Sequence, residues 1–402
     1  MEIALLSDIL GTPRHLVHDG KKFTWSSTIP ESAWVYPGKH GFKGLLSVIE
    51  ALGAEILDFQ TNPHAIAWKS ILGERDAKIP WVHALPADQF QKIVTKLLDQ
   101  LWMLLDQEND GYYMNEFVVN RRLLESLSAP VVDEKKIDNF LSDSTSKSKS
   151  DLLKFVPDSS GRAAPSVYTQ NNTVTGRVTI TSGPNILTLK KKYRQVISSE
   201  FAGGKIVQVD IVSLEPRIAL LTAGKSAPVD IYTEIQKTVL DSTVSRSQAK
   251  ISTLGCIYGM SPWTLSKKLP DSLNARDIMM KIRDYFDIPY LENRLKKEFK
   301  AHGFIRNAYG RKIFEDTALV NHYLQSSGAD ASLLAFSNLK KSLEEQSVKF
   351  KAVYVIHDAI LLDVGRDAIS SLKDTTKDGI DVPSFNQKFP ITIENITGDK
   401  IE

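Results

Sequence analysis

The 402-residue sequence predicts an α+β fold built from two or more subdomains. Its length exceeds what a single hydrophobic core usually serves. Two apolar β segments, Lys205–Val212 (KIVQVDIV) and Lys351–Val364 (KAVYVIHDAILLDV), stand far apart in the chain. Stretches with helical spacing of apolar residues fill the interval between them.

Taken in order, residues 1–85 are mixed. Ile3–Leu6, Ala33–Tyr36 and Ala54–Phe59 are strand-like, and Leu45–Leu52 is helical. Phe90–Asp106 (FQKIVTKLLDQLWMLLD) is a helix that stops at Gly111, and Glu116–Leu127 is a second. The polar, low-complexity run Ser144–Asp151 (STSKSKSD) reads as an exposed loop. After the strand Lys205–Val212, helices are expected over Glu215–Ala223, Ser245–Tyr258, Asn274–Phe286, Leu291–His302 and Asn321–Leu343. Lys351–Val364 is a hairpin with His357-Asp358 at its middle. No internal repeat is present.

The formal net charge is only +2, so a nucleic-acid partner would have to meet a local basic surface. The single cysteine, Cys256, excludes an internal disulfide and a cysteine-based zinc cluster, and suits a reducing cytoplasm. There is no signal-peptide pattern and no apolar run of about 18 residues, so no membrane partner is expected.

Two carboxylates interrupt apolar runs: Asp210 in IVQVDIV and Asp358 in YVIHDAILL. One such acid is commonly a strand-end residue facing water or paired with lysine. Two of them point to a shared dication site, because a buried carboxylate without a partner costs several kcal/mol. Mg²⁺ suits such a site, since carboxylate oxygens, water and substrate phosphates complete its shell. Arg246 and Lys250, four apart on one helix, offer two cationic heads to a triphosphate. Without further context such a pair is more often a solvated basic face.

The residues around these acids resemble the family A DNA polymerases, the Klenow-type and phage replicative enzymes, over roughly residues 94–402. The palm motif D-Y-S-x-I-E-x-R is similar to Asp210-Ile211-Val212-Ser213-Leu214-Glu215-Pro216-Arg217. The fingers motif R-x-x-x-K-x-x-x-F/Y-G-x-x-Y-G is similar to Arg246…Lys250…Leu254-Gly255…Tyr258-Gly259, and V-H-D-E to Ile356-His357-Asp358-Ala359. Thr175-Gly176-Arg177 with Pro184-Asn185, Asp230-Ile231-Tyr232-Thr233, Tyr309-Gly310-Arg311-Lys312 and Asn321…Gln325…Asp330 follow in family order, and Glu108-Asn109-Asp110-Gly111 loosely matches an acidic thumb turn.

The resemblance implies a right-hand polymerase: a palm with an antiparallel sheet, helical fingers and a helical thumb, after a small N-terminal α/β segment. The implied boundaries are 1–85 for that segment (an exonuclease remnant or docking module), 86–165 thumb, 166–222 and 301–402 palm, and 223–300 fingers. It implies Asp210, Asp358 and the Ile211 carbonyl as ligands of two Mg²⁺ ions, with Mn²⁺ able to substitute, and Lys250 as a catalytic cation. Arg246, Lys250, Leu254, Tyr258, Glu215 and Tyr232 would meet the nucleotide, with Glu215 excluding a ribose 2′-hydroxyl. Arg177, Asn185, Asn321, Gln325, His357 and Arg217 would meet DNA, and the basic run Lys190-Lys191-Lys192 with Arg194 either binds phosphates or is a solvated loop. The implied partners are primer–template DNA and deoxynucleoside triphosphates, with a helicase, primase or processivity factor as further classes.

Leu254, Ala359 and Tyr232 depart from the family pattern, which has an aromatic, a glutamate and a histidine there. The sole D-x-E, Asp106-Gln107-Glu108, lies in the thumb-like helix, so no 3′–5′ exonuclease is expected. The competing readings are a single-subunit RNA polymerase and a catalytically dead, DNA-binding accessory subunit.

Overall fold

The computed structural model describes residues 3–5, 15–18, 23–30, 34–36, 63–72, 86, 112–143, 146–170, 172–240, 244–385 and 387–397. It divides into two compact units, Met1–Glu125 and Ser126–Glu402. The first unit holds β1 (Ile3–Leu5), β2 (His15–His18), β3 (Phe23–Ser26), β4 (Trp34–Tyr36), α1 (Pro63–Leu72) and α2 (Tyr112–Glu125). Its sheet runs β3-β2-β1-β4, antiparallel except that β4 pairs parallel to β1. The expected elements Leu45–Leu52, Ala54–Phe59 and Phe90–Asp106, and the Glu108–Gly111 turn, lie outside the described residues.

The second unit opens with β5 (Val131–Val132), α3 (Glu134–Asp143), α4 (Ser146–Leu153), β6 (Val167–Thr169), β7 (Thr179–Ser182), a 3₁₀ turn over Lys191–Val196 and β8 (Ile197–Ser198). Helix α4 corrects the reading of Ser144–Asp151 as a loop. The polar run carries a buried anchor just beyond it, since Leu152 is fully buried and Phe155 follows it into the core. Tertiary burial overrides the weak helix propensity of serine.

The functional core is built on β9 (Lys205–Ile211), whose alternation sends Val207, Val209 and Ile211 into the hydrophobic interior and Gln208 and Asp210 to the opposite face. Helices α5 (Leu214–Thr222), α6 (Ile231–Thr238), α7 (Arg246–Ile257), α8 (Pro262–Ser266), α9 (Ala275–Tyr285) and α10 (Ile288–His302) follow, then the short pair β10 (Ile305–Arg306) and β11 (Lys312–Ile313). Helix α7 starts at a complete capping box, with Ser245 and Gln248 bonding each other's backbone N–H. Helix α10 stops at Gly303, whose positive φ an L side chain would resist.

The long α11 (Leu319–Glu345) follows and packs against α5 and α10. Its Gly328 meets α5, where a Cβ would sit 3.3 Å from the Glu215 side chain, while Ser326 and Ser327 accept from the Asn307 amide and the Ala308 N–H. Then β12 (Phe350–Ile356) and β13 (Ala359–Val364) form the expected hairpin, followed by a 3₁₀ turn, α12 (Ile369–Thr376), β14 (Ile380–Asp381), β15 (Lys388–Phe389) and β16 (Ile391–Asn395). The central antiparallel sheet has the order β12-β13-β9-β16. Strand β16, whose ITIEN pattern went unread in the sequence, closes it against β9.

Candidate active site

The sheet register brings the two acids together. Asp210 stands opposite Ala359 on one side and Thr392 on the other. Asp358 is the residue before Ala359, and its carbonyl accepts the Ile211 N–H at 3.0 Å. Asp358 sits on the turn of the expected hairpin: Ile356 pairs directly with Ala359 and leaves only His357 and Asp358 to reverse the chain. His357 takes φ 54° there, a left-handed conformation costing about 1–2 kcal/mol for an L residue.

Electrostatics at Asp210 register the crowding. Burial, and then repulsion from Asp358 and Glu394, push its pKa up to about 7. Lys250 pulls the other way, as does the Gln208 amide, which donates to Asp210 Oδ2 at 3.4 Å. Glu394 is paired with Gln208 across β9 and β16, so it shares the Asp210 face. Neither Gln208 nor Glu394 was singled out from the sequence; the signal was the second apolar alternation interrupted by an acid, ITIEN.

A 60 Å³ cavity beside the turn is lined by Arg177, Glu215, Gln325, His357 and Asp358, together with Gly328, Ala329 and Ser332 of α11. Five of the residues read from the sequence therefore share one wall. Arg177 donates to Glu215 Oε1 at 2.9 Å, and this partner opposes the upward push that burial and Asp358 exert on the Glu215 pKa. His357 is held below its ordinary pKa by withdrawal of the ring from water and by the Arg177 and Arg194 charges.

The cationic residues line up on α7. Arg246 and Lys250 both lie over the ring of Tyr232, at 5.5 and 5.8 Å from its centroid. Tyr232 is buried, and burial raises its pKa. Arg246 is engaged by both oxygens of Asp230 at 2.8 and 3.1 Å. Burial alone would raise the Asp230 pKa, but hydrogen bonds from Arg246 and Thr233 outweigh it and hold the pKa at about 2. Asp230 also caps α6 by accepting the N–H groups of Tyr232 and Thr233. Leu254 and Tyr258, both half-buried, continue the helix.

Tyr258 and Asn321 line a separate 420 Å³ cleft with Arg283, Glu292 and Lys296, away from the Arg177 wall. Asn321 Oδ1 is buried there with no hydrogen-bond partner. Asn185 accepts the Leu187 N–H within its own turn and lines neither cavity. Arg217 corrects an expectation: it is fully buried and cannot reach DNA. Its guanidinium donates to the carbonyls of Val212, Ala227 and Val229 and stacks 5.7 Å from the Phe389 ring, so it ties α5 to the following loop.

Residues 87–402 match the model of DNA polymerase family A. The chain belongs to DNA polymerase family A. Among family relatives, DNA polymerase I of Caldicellulosiruptor bescii is 25% identical over 282 residues, covering 60% of this chain and 32% of the relative. That of Lactococcus lactis subsp. cremoris is 28% identical over 173 residues, 38% of this chain and 19% of the relative. That of Aquifex aeolicus is 23% identical over 270 residues, 60% and 46%. The chain thus spans less than half the length of these relatives. The polymerase domain of Pol1 from M. smegmatis, solved in complex with DNA primer-template and dNTP, aligns with a TM-score of 0.55 at 13% identity, covering 88% of this chain and 82% of that one. At that identity the likeness is one of fold. Among the described residues, no helix of this family A chain is long and apolar enough to cross a membrane.

Proposed function

We propose that this family A chain is a template-directed DNA polymerase that adds deoxynucleotides to a primer 3′ end. The observation that carries the reading is the meeting of Asp210 and Asp358 at one end of the central sheet with Lys250 close enough to act on Asp210. Mutual repulsion between half-buried acids is relieved by a cation, so the donor set fits magnesium. Among the described residues, no group of three or more His, Cys, Asp or Glu side chains forms a closed metal cage. Asp210, Asp358 and the Ile211 carbonyl would hold two Mg²⁺ ions (or Mn²⁺), which when bound supply charge neutralisation of the triphosphate and a more acidic primer hydroxyl.

The chain's own residues do the rest. Lys250 meets the triphosphate and gives a proton to the departing pyrophosphate. Arg246 joins it on exchanging Asp230 for phosphate oxygens. Glu215 stands where an extra 2′-hydroxyl would project and rejects ribonucleotides by occupancy. Leu254 and Tyr258 cover the new base pair. Arg177, Gln325, His357 and Asn321 donate to minor-groove acceptors that every base pair offers, so they sense pair geometry and not sequence. In this reading the sheet β12-β13-β9-β16 is the palm and α7–α10 belong to the fingers, which close over a correct nucleotide. The reading includes no 3′–5′ exonuclease, and shortening of a primer by the pure protein would overturn that part of it.

Primer extension with Mg²⁺ tests the proposal. Wild type should extend a primed template with deoxynucleotides, and Asp210→Ala should lose on the order of 10³-fold or more in rate. Equal use of ribonucleotides would indicate an RNA polymerase, and no extension at all would indicate an accessory protein.

A further inference from the structure

Behind the Arg177 wall lies a buried polar cluster that the proposed reaction does not use. Asp330 of α11 is fully buried, and its carboxylate accepts from Asn307 Nδ2 at 2.8 Å, Arg311 Nε at 3.2 Å and Gln170 Nε2 at 3.0 Å. Arg311 is itself 5% exposed and Gln170 1%. The same Gln170 nitrogen donates its second hydrogen to the Gly176 carbonyl at 3.0 Å. Gly176 has φ 68° and lies flat on the Arg311 guanidinium; a Cβ there would fall 2.5 Å from its ζ carbon. Asn307 Oδ1 accepts the Tyr309 and Arg311 N–H groups, which fixes the turn that presents Arg311.

A buried ion pair is a poor source of stability, because desolvation consumes most of the attraction, whereas its directional bonds fix geometry. The cluster meets the Thr175–Arg177 turn at two points, the Gln170 bond to the Gly176 carbonyl and the Arg311 guanidinium packed against Gly176, while its other bonds hold Gln170, Arg311 and Asn307 to Asp330. The next residue, Arg177, crosses to Glu215. We propose that Gln170, Arg311 and Asp330 form a clamp that seats the Gly176 turn and thereby aims Arg177 into the site, making them positioning residues for it. The inference rests on the polymerase reading for the meaning of Arg177, but the clamp is defined by geometry alone.

Two variants unseat the turn from different sides. Gln170→Met removes the donor to Gly176 and keeps the volume. Gly176→Ala leaves every polar group intact and wedges a methyl against Arg311. Limited trypsin digestion read by mass spectrometry follows cleavage after Arg177, with the other Lys and Arg sites as internal comparators. Both variants should raise cleavage at Arg177 selectively, about tenfold. In primer extension, each should lower kcat/KM about tenfold singly, and each combined with Arg177→Ala should be no worse than Arg177→Ala alone. Unchanged cleavage at Arg177, a rise shared equally by all sites, or additive losses in the double variants would overturn the clamp. If wild type fails to extend primers, the polymerase reading falls, while the cleavage pattern still decides the clamp.

Discussion

Neutralising Asp210 should stabilise the metal-free protein while destroying its activity. The folded state holds the Asp210 pKa at about 7, and an unfolded aspartate titrates near ~3.9. The folded state therefore binds the proton more tightly, so stability is fully present below about pH 4, falls as pH rises, and levels off above about 7. At ~1.4 kcal/mol per pH unit, the shift caps the cost at about 4 kcal/mol. Asp210 is only partly buried, so screening reduces the cost to about 1–2 kcal/mol. Asp210→Asn removes this cost, because an amide does not ionise. Thermal unfolding in chelator should find the variant about 1–3 °C more stable than wild type at pH 8, with the gap closing towards pH 4. Adding Mg²⁺ should then stabilise wild type and leave the variant nearly unmoved, since only a state that binds the ion gains from it. A variant less stable than wild type at pH 8, or a gap independent of pH, would refute the account of crowded charge.

Other perturbations separate roles that the motifs lump together. Glu215→Ala should raise ribonucleotide incorporation relative to deoxynucleotide by about tenfold or more, read in single-nucleotide extension; an unchanged ratio would remove Glu215 from sugar selection. Arg217→Ala should cost about 3 kcal/mol in urea unfolding by leaving the loop carbonyls unpaired, and a stable variant with weakened DNA binding would contradict the burial. Asp230→Asn keeps the α6 cap but loosens the hold on Arg246. The nucleotide KM should fall about threefold, and a rise would mean that Asp230 orients Arg246 for the phosphates.

Chemistry was more legible in the sequence than position. The Lys205–Val212 strand, the Lys351–Val364 hairpin and the helices around Lys250 and Gln325 could be read because period and punctuation agreed in each. Helix α4 could not, because its composition is that of a loop and only the burial of Leu152 marks it otherwise. The register that sets Asp210 beside Asp358 is a non-local property that neither strand carries alone. Arg217 misled for a related reason: a motif arginine looks the same whether it faces phosphate or three of its own carbonyls. Glu394 went unseen because a single short strand gives a weak signal until β9 is there to pair with it.

The insertion of α5–α11 between β9 and its hairpin partner has a consequence for biogenesis. On the ribosome, β9 emerges with Val207, Val209 and Ile211 bare, and β13 follows only once residue 364 has been made. At typical elongation speeds that leaves a sticky strand uncovered for roughly 8–30 s. The helical block must mature beside an open edge, which makes this interval the natural moment for chaperone engagement or for self-association of nascent chains.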